Sequence, residues 1–168
     1  MANIVEAMMT EIQKEAATTR RILERVPGDK LSWRPHPKSM SLGQLSLHIA
    51  TIPGNLSKLA QLKEFDASTA NFDAPTANST DETLAALDAS VKAAQDYIGS
   101  LDEPAVMENW RLTVRGKEVF TMTRLEMLRT IMLNHWYHHR GQLSVYLRLL
   151  DVPIPVIYGR SADENPFG

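Results

Sequence analysis

A chain of 168 residues has the size of one folded domain, and a hydrophobic share of 43% fills a core and excludes a disordered chain. The formal charge of −2, with Lys and Arg clustered on no one segment, excludes the basic surface on which non-specific nucleic-acid binding rests. The absence of cysteine removes disulfides and thiolate metal sites together, so a metal would have to be held by imidazole and oxygen.

Residues 1–10 carry an acidic side chain, Glu6, and no apolar run suited to export. No stretch approaches the roughly 20 apolar residues of a membrane span, and a cytoplasmic protein is expected. The first helix is predicted from Asn3 to Val26, with Ile4, Met8, Ile12, Ala16, Leu23 and Val26 along one side. Pro27-Gly28-Asp29 ends it, since proline cannot continue the hydrogen-bond ladder and glycine accepts the turn. Residues 31–40, with Pro35 and Pro37, read as an ordered loop whose Trp33 packs on the helices. Ser41 and Gln44 form a capping box that opens a second helix. Its inner stripe is Leu45, His48, Ile52 and Leu59, and Pro53-Gly54 predicts a kink one turn past His48. Residues 66–78 read as a long connection. Ser79 and Glu82 suggest a second capping box, opening a third helix to about Leu101, and Glu103-Pro104 breaks it.

From Trp110 to Met122 the period changes. Trp110, Leu112 and Val114 alternate with polar residues and Arg115-Gly116-Lys117 supplies a turn, so a small hairpin is expected. Thr123 and Glu126 form a third capping box, and the fourth helix runs to about Leu150 before Pro153 and Pro155 stop it. The expected fold is therefore all-α: a four-helix bundle with long crossover connections and a hairpin excursion before the last helix. Residues 1–168 are taken as a single domain.

The five histidines concentrate the chemistry. On the fourth helix Leu128, Met132, His135, His139, Leu143 and Tyr146 share one stripe, so His135 and His139 lie one turn apart on the side expected to be buried. An i, i+4 pair offers two imidazoles to one cation, and His48 holds the equivalent inward position on the second helix. A lone histidine on an apolar stripe is ordinarily a hydrogen-bonded core residue. Three of them unpaired in one core would be costly, and a divalent metal removes that cost. Three ligands with open positions is the pattern of catalytic sites, and the three sets of nitrogens must then approach within about 5 Å. His138 points off the stripe, and His36 sits in a solvated loop. Arg140 is expected to project outward into an ion pair, and Gln142 to lie beside His135 as a partner for a ligand imidazole. Glu11 and Glu15 read as a solvated helix edge, with a general base or an acceptor behind a ligand as the alternative.

Other chemistries lack their signatures. No Gly-rich phosphate loop and no Gly-x-Ser-x-Gly elbow is present. Trp136, Tyr137 and His138 separate the histidine pair, so this is not the His-Glu-x-x-His of a zincin.

The run from His135 through His139-Arg140-Gly141-Gln142-Leu143 to Tyr146-Leu147-Arg148 resembles the signature of the DinB-like (DinB/YfiT-like) metal-binding bundles. Ser41 through Leu45 to His48, with Trp33 ahead of it, is similar to the family's second-helix signature, and the tail from Pro155 to Glu164 to that of one large branch. The resemblance covers almost the whole chain. It implies a four-helix bundle with an unusual order of helix directions, frequent dimers, and a divalent metal (zinc, nickel or iron) on His48, His135 and His139. The family's activities include thiol S-transfer, a mycothiol-dependent isomerisation and candidate hydrolases, the mycothiol-type enzymes usually with a further C-terminal domain. The expectation is thus a metal-dependent enzyme acting on a small molecule, by thiol S-transfer with a low-molecular-weight thiol as partner or by hydrolysis, the choice being left open, as a homodimer. The alternative is a non-catalytic metal-binding stress-response protein.

Overall fold

The computed structural model describes residues 3–71 and 73–167. Met1 and Ala2 of the segment read as unsuited to export, Phe72 of the long connection and Gly168 of the tail lie outside the described residues. The chain is mostly helical, in the order α1 (Ile4–Leu23), α2 (Leu42–Gln61), β1 (Glu64–Asp66), α3 (Thr80–Gly99), α4 (Glu103–Val106), β2 (Asn109–Val114), β3 (Lys117–Thr123) and α5 (Arg124–Glu126). A π-helical stretch (Met127–Leu133) then leads into α6 (Asn134–Leu149). No helix among the described residues is long and apolar enough to cross a membrane.

Helix starts follow local chemistry. Asn3 caps α1 by accepting from the Val5 N–H at 2.9 Å. At α2 the Ser41 hydroxyl accepts from the Gln44 N–H while Gln44 Oε1 accepts from the Ser41 N–H, a complete capping box. Thr123 and Glu126 form another. The box expected at Ser79 is only half made. Ser79 accepts from the Glu82 N–H, but the Glu82 carboxylate turns to the Asn78 N–H and side-chain amide instead. Pro104 does not merely break a helix; it stands in the first turn of α4, where a missing N–H costs nothing.

The core is built from Val5, Met8 and Ile12 of α1, Leu42, Leu45 and Ile49 of α2, Leu87 and Ile98 of α3, and Trp136, Leu143 and Leu147 of α6. α3 lies against both α1 and α2, and α2 packs in turn on α6. α2 runs unbroken through Pro53. The helices α2 and α3 come close there because Gly54 has no side chain: a Cβ would stand 2.9 Å from Ser90 Cα. The Gly54 N–H donates to Ser90 Oγ at 2.8 Å, which ties the helices together at the proline.

The expected hairpin is present as β2 and β3, antiparallel with an irregularity between Leu112 and Thr113. It belongs to a larger unit, because β1 adds in parallel beside β2, Phe65 opposite Leu112. The sequence did not suggest this strand. Arg115 and Gly116 turn the hairpin with φ of 52° and 72°. Their N–H groups donate to the Asp66 carboxylate at 3.0 and 2.9 Å. Hydrogen bonds from Ser68 and then Gly116 hold that carboxyl down at about 2. Trp110, buried, anchors the sheet through its indole N–H on the Leu59 carbonyl at 3.1 Å.

Candidate metal centre

His48 comes from the second turn of α2, whose register is fixed by the Ser41–Gln44 box, and meets the histidines of α6 across the α2–α6 packing. One potential ligand atom from each of His48, His135 and His139 lies within 4.8 Å of the others. His48 Nε2 and His135 Nε2 are 3.0 Å apart, and the rings stand nearly perpendicular, 4.5–5.2 Å between centroids. Three lone pairs brought so close repel unless a proton or a cation sits between them. The cluster could hold a metal ion.

The electrostatics agree. Burial, then the charges of His139 and His135, push His48 down to about 4. Burial first, then the neighbouring imidazoles, lowers His135. Burial also lowers His139, partly opposed by its hydrogen bond to Gln142. The three are therefore neutral near pH 7, the form that ligates a metal. His139 Nδ1 donates to Gln142 Oε1 at 2.8 Å. An amide oxygen only accepts, so the proton is fixed on Nδ1 and the Nε2 lone pair is left free.

The surroundings depart from the sequence reading in several places. His135 and His139 are partly exposed, and the buried side of α6 is Trp136, Arg140, Leu143, Tyr146 and Leu147. Leu128, Met132, Leu143 and Tyr146 of the same predicted stripe are buried, and a seven-residue π-helical stretch, Met127–Leu133, precedes the histidines. Arg140 does form an ion pair, yet it points inward and is buried, 1% exposed. It pairs with Glu15 at 2.6 Å, donates to Thr19 Oγ1 at 3.1 Å and to the Tyr158 hydroxyl, and lies over the rings of Tyr137 and Tyr158. Glu11 and Glu15 are partly buried rather than solvated. Glu11 accepts from the Tyr137 hydroxyl at 2.9 Å and pairs with Arg129, and neither carboxylate bonds a histidine of the cluster. Gln142 serves His139 and not His135. His138 is exposed, and His36 is exposed with its Nδ1 accepting from the Lys38 N–H. Trp33 packs edge-on against Tyr146 at 5.7 Å.

A cavity of about 410 Å³ opens beside the cluster. Of the three histidines only His48 lines it, with Met40, Leu47, Thr51 and Asn55, and residues 71 and 73–75 form the opposite wall. Gln44 Nε2 holds that wall by donating to the Ala74 carbonyl at 2.9 Å. Thr51 and Asn55 escaped the sequence reading, although they stand three and seven residues after His48 and so on its face of the helix.

A DinB-like protein from Bacillus cereus has a similar structure, with a TM-score of 0.72 and 22% identity over 94% of this chain and 100% of that one. A DinB-like protein from Bacillus subtilis gives a TM-score of 0.70 and 20% identity over 92% and 99%. At such identities the likeness is one of fold. No curated protein matches the chain. The model of the DinB family matches residues 1–165, and the chain belongs to that family.

Proposed function

We propose that this chain is a divalent-metal-dependent enzyme acting on a small molecule, with His48, His135 and His139 as the ligands. The observation that carries the reading is the convergence of three neutral imidazoles at the edge of an open cavity. A divalent ion held by such a set lowers the pKa of a bound thiol or water and polarises a carbonyl. The reaction we propose is thiol S-transfer or hydrolysis, since both need the same open position on the metal. His135 and His139 give a rigid pair on one helix, His48 closes the set from α2, and Gln142 orients His139. The walls around Met40 and Leu47 give the small molecule an apolar surface beside His48. Zinc, nickel and iron all suit imidazole. The four long helical segments are read as the bundle of the family, with the small sheet as its excursion.

Metal analysis of the native protein, followed by assays against panels of thiols and electrophiles, tests this. Metal at one equivalent with turnover supports it; metal without turnover in any panel leaves a non-catalytic binding role. A homodimer is part of the proposal. Val145 and Leu149, one turn apart on α6 and 57% and 58% exposed, offer an apolar seam for it. Light scattering that finds only monomer at micromolar concentration removes the dimer.

A further inference from the structure

Two residues of α6 that reach α1 stand on either side of His139 in sequence. Tyr137 donates its hydroxyl to Glu11 at 2.9 Å, and Arg140 pairs with Glu15, one turn further along α1, at 2.6 Å. The Tyr137 ring also covers one side of the Arg140 guanidinium, 5.1 Å from the ring centroid. The other side is covered from outside α6. Tyr158, in the chain beyond the last helix, lays its ring 4.9 Å from the same guanidinium. Its hydroxyl accepts from Arg140 and donates to Glu15 at 2.9 Å. Tyr158 is itself 69% exposed and Arg140 1%, so this ring is a cover and not a core residue.

The segment that delivers the cover is a closed strap. The Ile154 N–H donates to the Asp163 carboxylate at 2.9 Å and the Val156 N–H to that of Glu164 at 2.8 Å. Asp163 pairs in turn with Arg148 of α6 at 2.5 Å, and Glu164 with Arg21 of α1 at 2.6 Å. Residues 154–164 are thus tied to both helices by directional bonds. The apolar contacts of Trp136, Leu143 and Leu147 press α6 on the core but are not directional, so they fix its roll less closely. Roll matters at a metal centre. A turn of about 10° moves an atom about 6 Å from a helix axis by about 1 Å, whereas metal–ligand distances hold to about 0.2 Å.

We propose that Tyr158, with the strap that carries it, is a positioning residue for the histidine pair. By holding Arg140 against α1 it sets the roll of α6 at which His135 and His139 meet His48. The inference rests on the metal reading of the three histidines and joins to that site a segment that comes after the last helix. Its action passes through Arg140, the neighbour of His139 on the same rigid helix.

The test uses the full chain and Co²⁺, whose d–d absorption reports coordination geometry without any turnover. Tyr158→Ala should weaken Co²⁺ binding about three- to tenfold in competition with a chelator and shift the d–d bands, a smaller loss than for a group that touches a ligand. Tyr158→Phe keeps the ring over Arg140 and loses only the hydroxyl, so it should stay within about twofold of the parent. Linkage is reciprocal: Co²⁺ must favour the closed strap as much as the closed strap favours Co²⁺. Saturating Co²⁺ should therefore slow amide exchange at Ile154 and Val156 of the unaltered protein, again about three- to tenfold. A strap that serves stability alone would lower the melting temperature of metal-free Tyr158→Ala and leave Co²⁺ affinity, spectrum and strap exchange unmoved. That result overturns the positioning role and leaves the metal site standing. Failure of the unaltered protein to bind Co²⁺ overturns both.

Discussion

Replacing Arg140 with Met tests how α6 is held against α1. The guanidinium side chain is 2% exposed and that of Glu15 15% exposed. Truncation removes the ion pair, the bond to Thr19 and the contact with the Tyr158 hydroxyl at once. The Glu15 carboxylate keeps only the Tyr158 O–H, 2.9 Å away. Breaking one side of a buried pair costs about 3–5 kcal/mol. Because Glu15 retains some contact with water, we expect the lower end, about 3 kcal/mol. For a domain of this size that lowers the melting temperature by about 6–12 °C. Urea denaturation reads the change directly, with an unchanged slope showing that the midpoint shift is one of stability. The double substitution Arg140→Met with Glu15→Gln removes both charges, so it should recover most of the loss and come within about 1.5 kcal/mol of the parent. A single-variant loss below about 1 kcal/mol, or a double variant as unstable as the sum of the singles, would refute the reasoning.

His48→Ala, His135→Ala and His139→Ala should each weaken metal binding at least ~10-fold, whereas His138→Ala should leave it nearly unchanged; titration against a competing chelator measures both. Gln142→Leu should lower metal affinity by about tenfold while the protein stays folded, since it frees the His139 ring without removing a ligand. The metal-free protein should lose stability on acidification. His48 titrates at about 4 when folded and near 6.5 when unfolded, so between those values the unfolded chain binds more protons. Its stabilising contribution is complete above about pH 6.5 and is lost as pH falls towards 4, with His135 and His139 acting in the same direction. Thermal melts across that range check it, and a flat profile contradicts the neutral-cluster description.

The parts readable from sequence are those with short-range signals. Ser41 with Gln44 and Thr123 with Glu126 announce their helices because both partners lie within one turn. His135 and His139 pair at i, i+4 whatever happens elsewhere, and His48 is set from its own cap. Long-range partners were invisible. Arg140 is assigned outward by default, because nothing near it in sequence shows that Glu15 and Tyr158 will meet it inside. Glu64-Phe65-Asp66 is too short to display alternation, and its partner strand begins only at Asn109. The Ser79 box was half right because Asn78 outcompetes Ser79 for Glu82, a choice between neighbours that composition does not decide. The π-helical register has no residue signature at all.

That register makes the chain unequal in its tolerance of length changes. A π-helical turn holds more residues than an α-helical turn, so the stretch from Met127 to Leu133 carries slack that an α-helix lacks. Deleting one residue there, at exposed Thr130 for instance, lets the backbone tighten to α-helical hydrogen bonding while the ends stay where packing holds them. The same deletion inside α6 has no slack to absorb it. It would turn every later side chain by about 100° and carry His139 away from His135 and His48. Single-residue insertions and deletions among natural relatives should therefore gather in the wide turns ahead of the histidines and be absent between them.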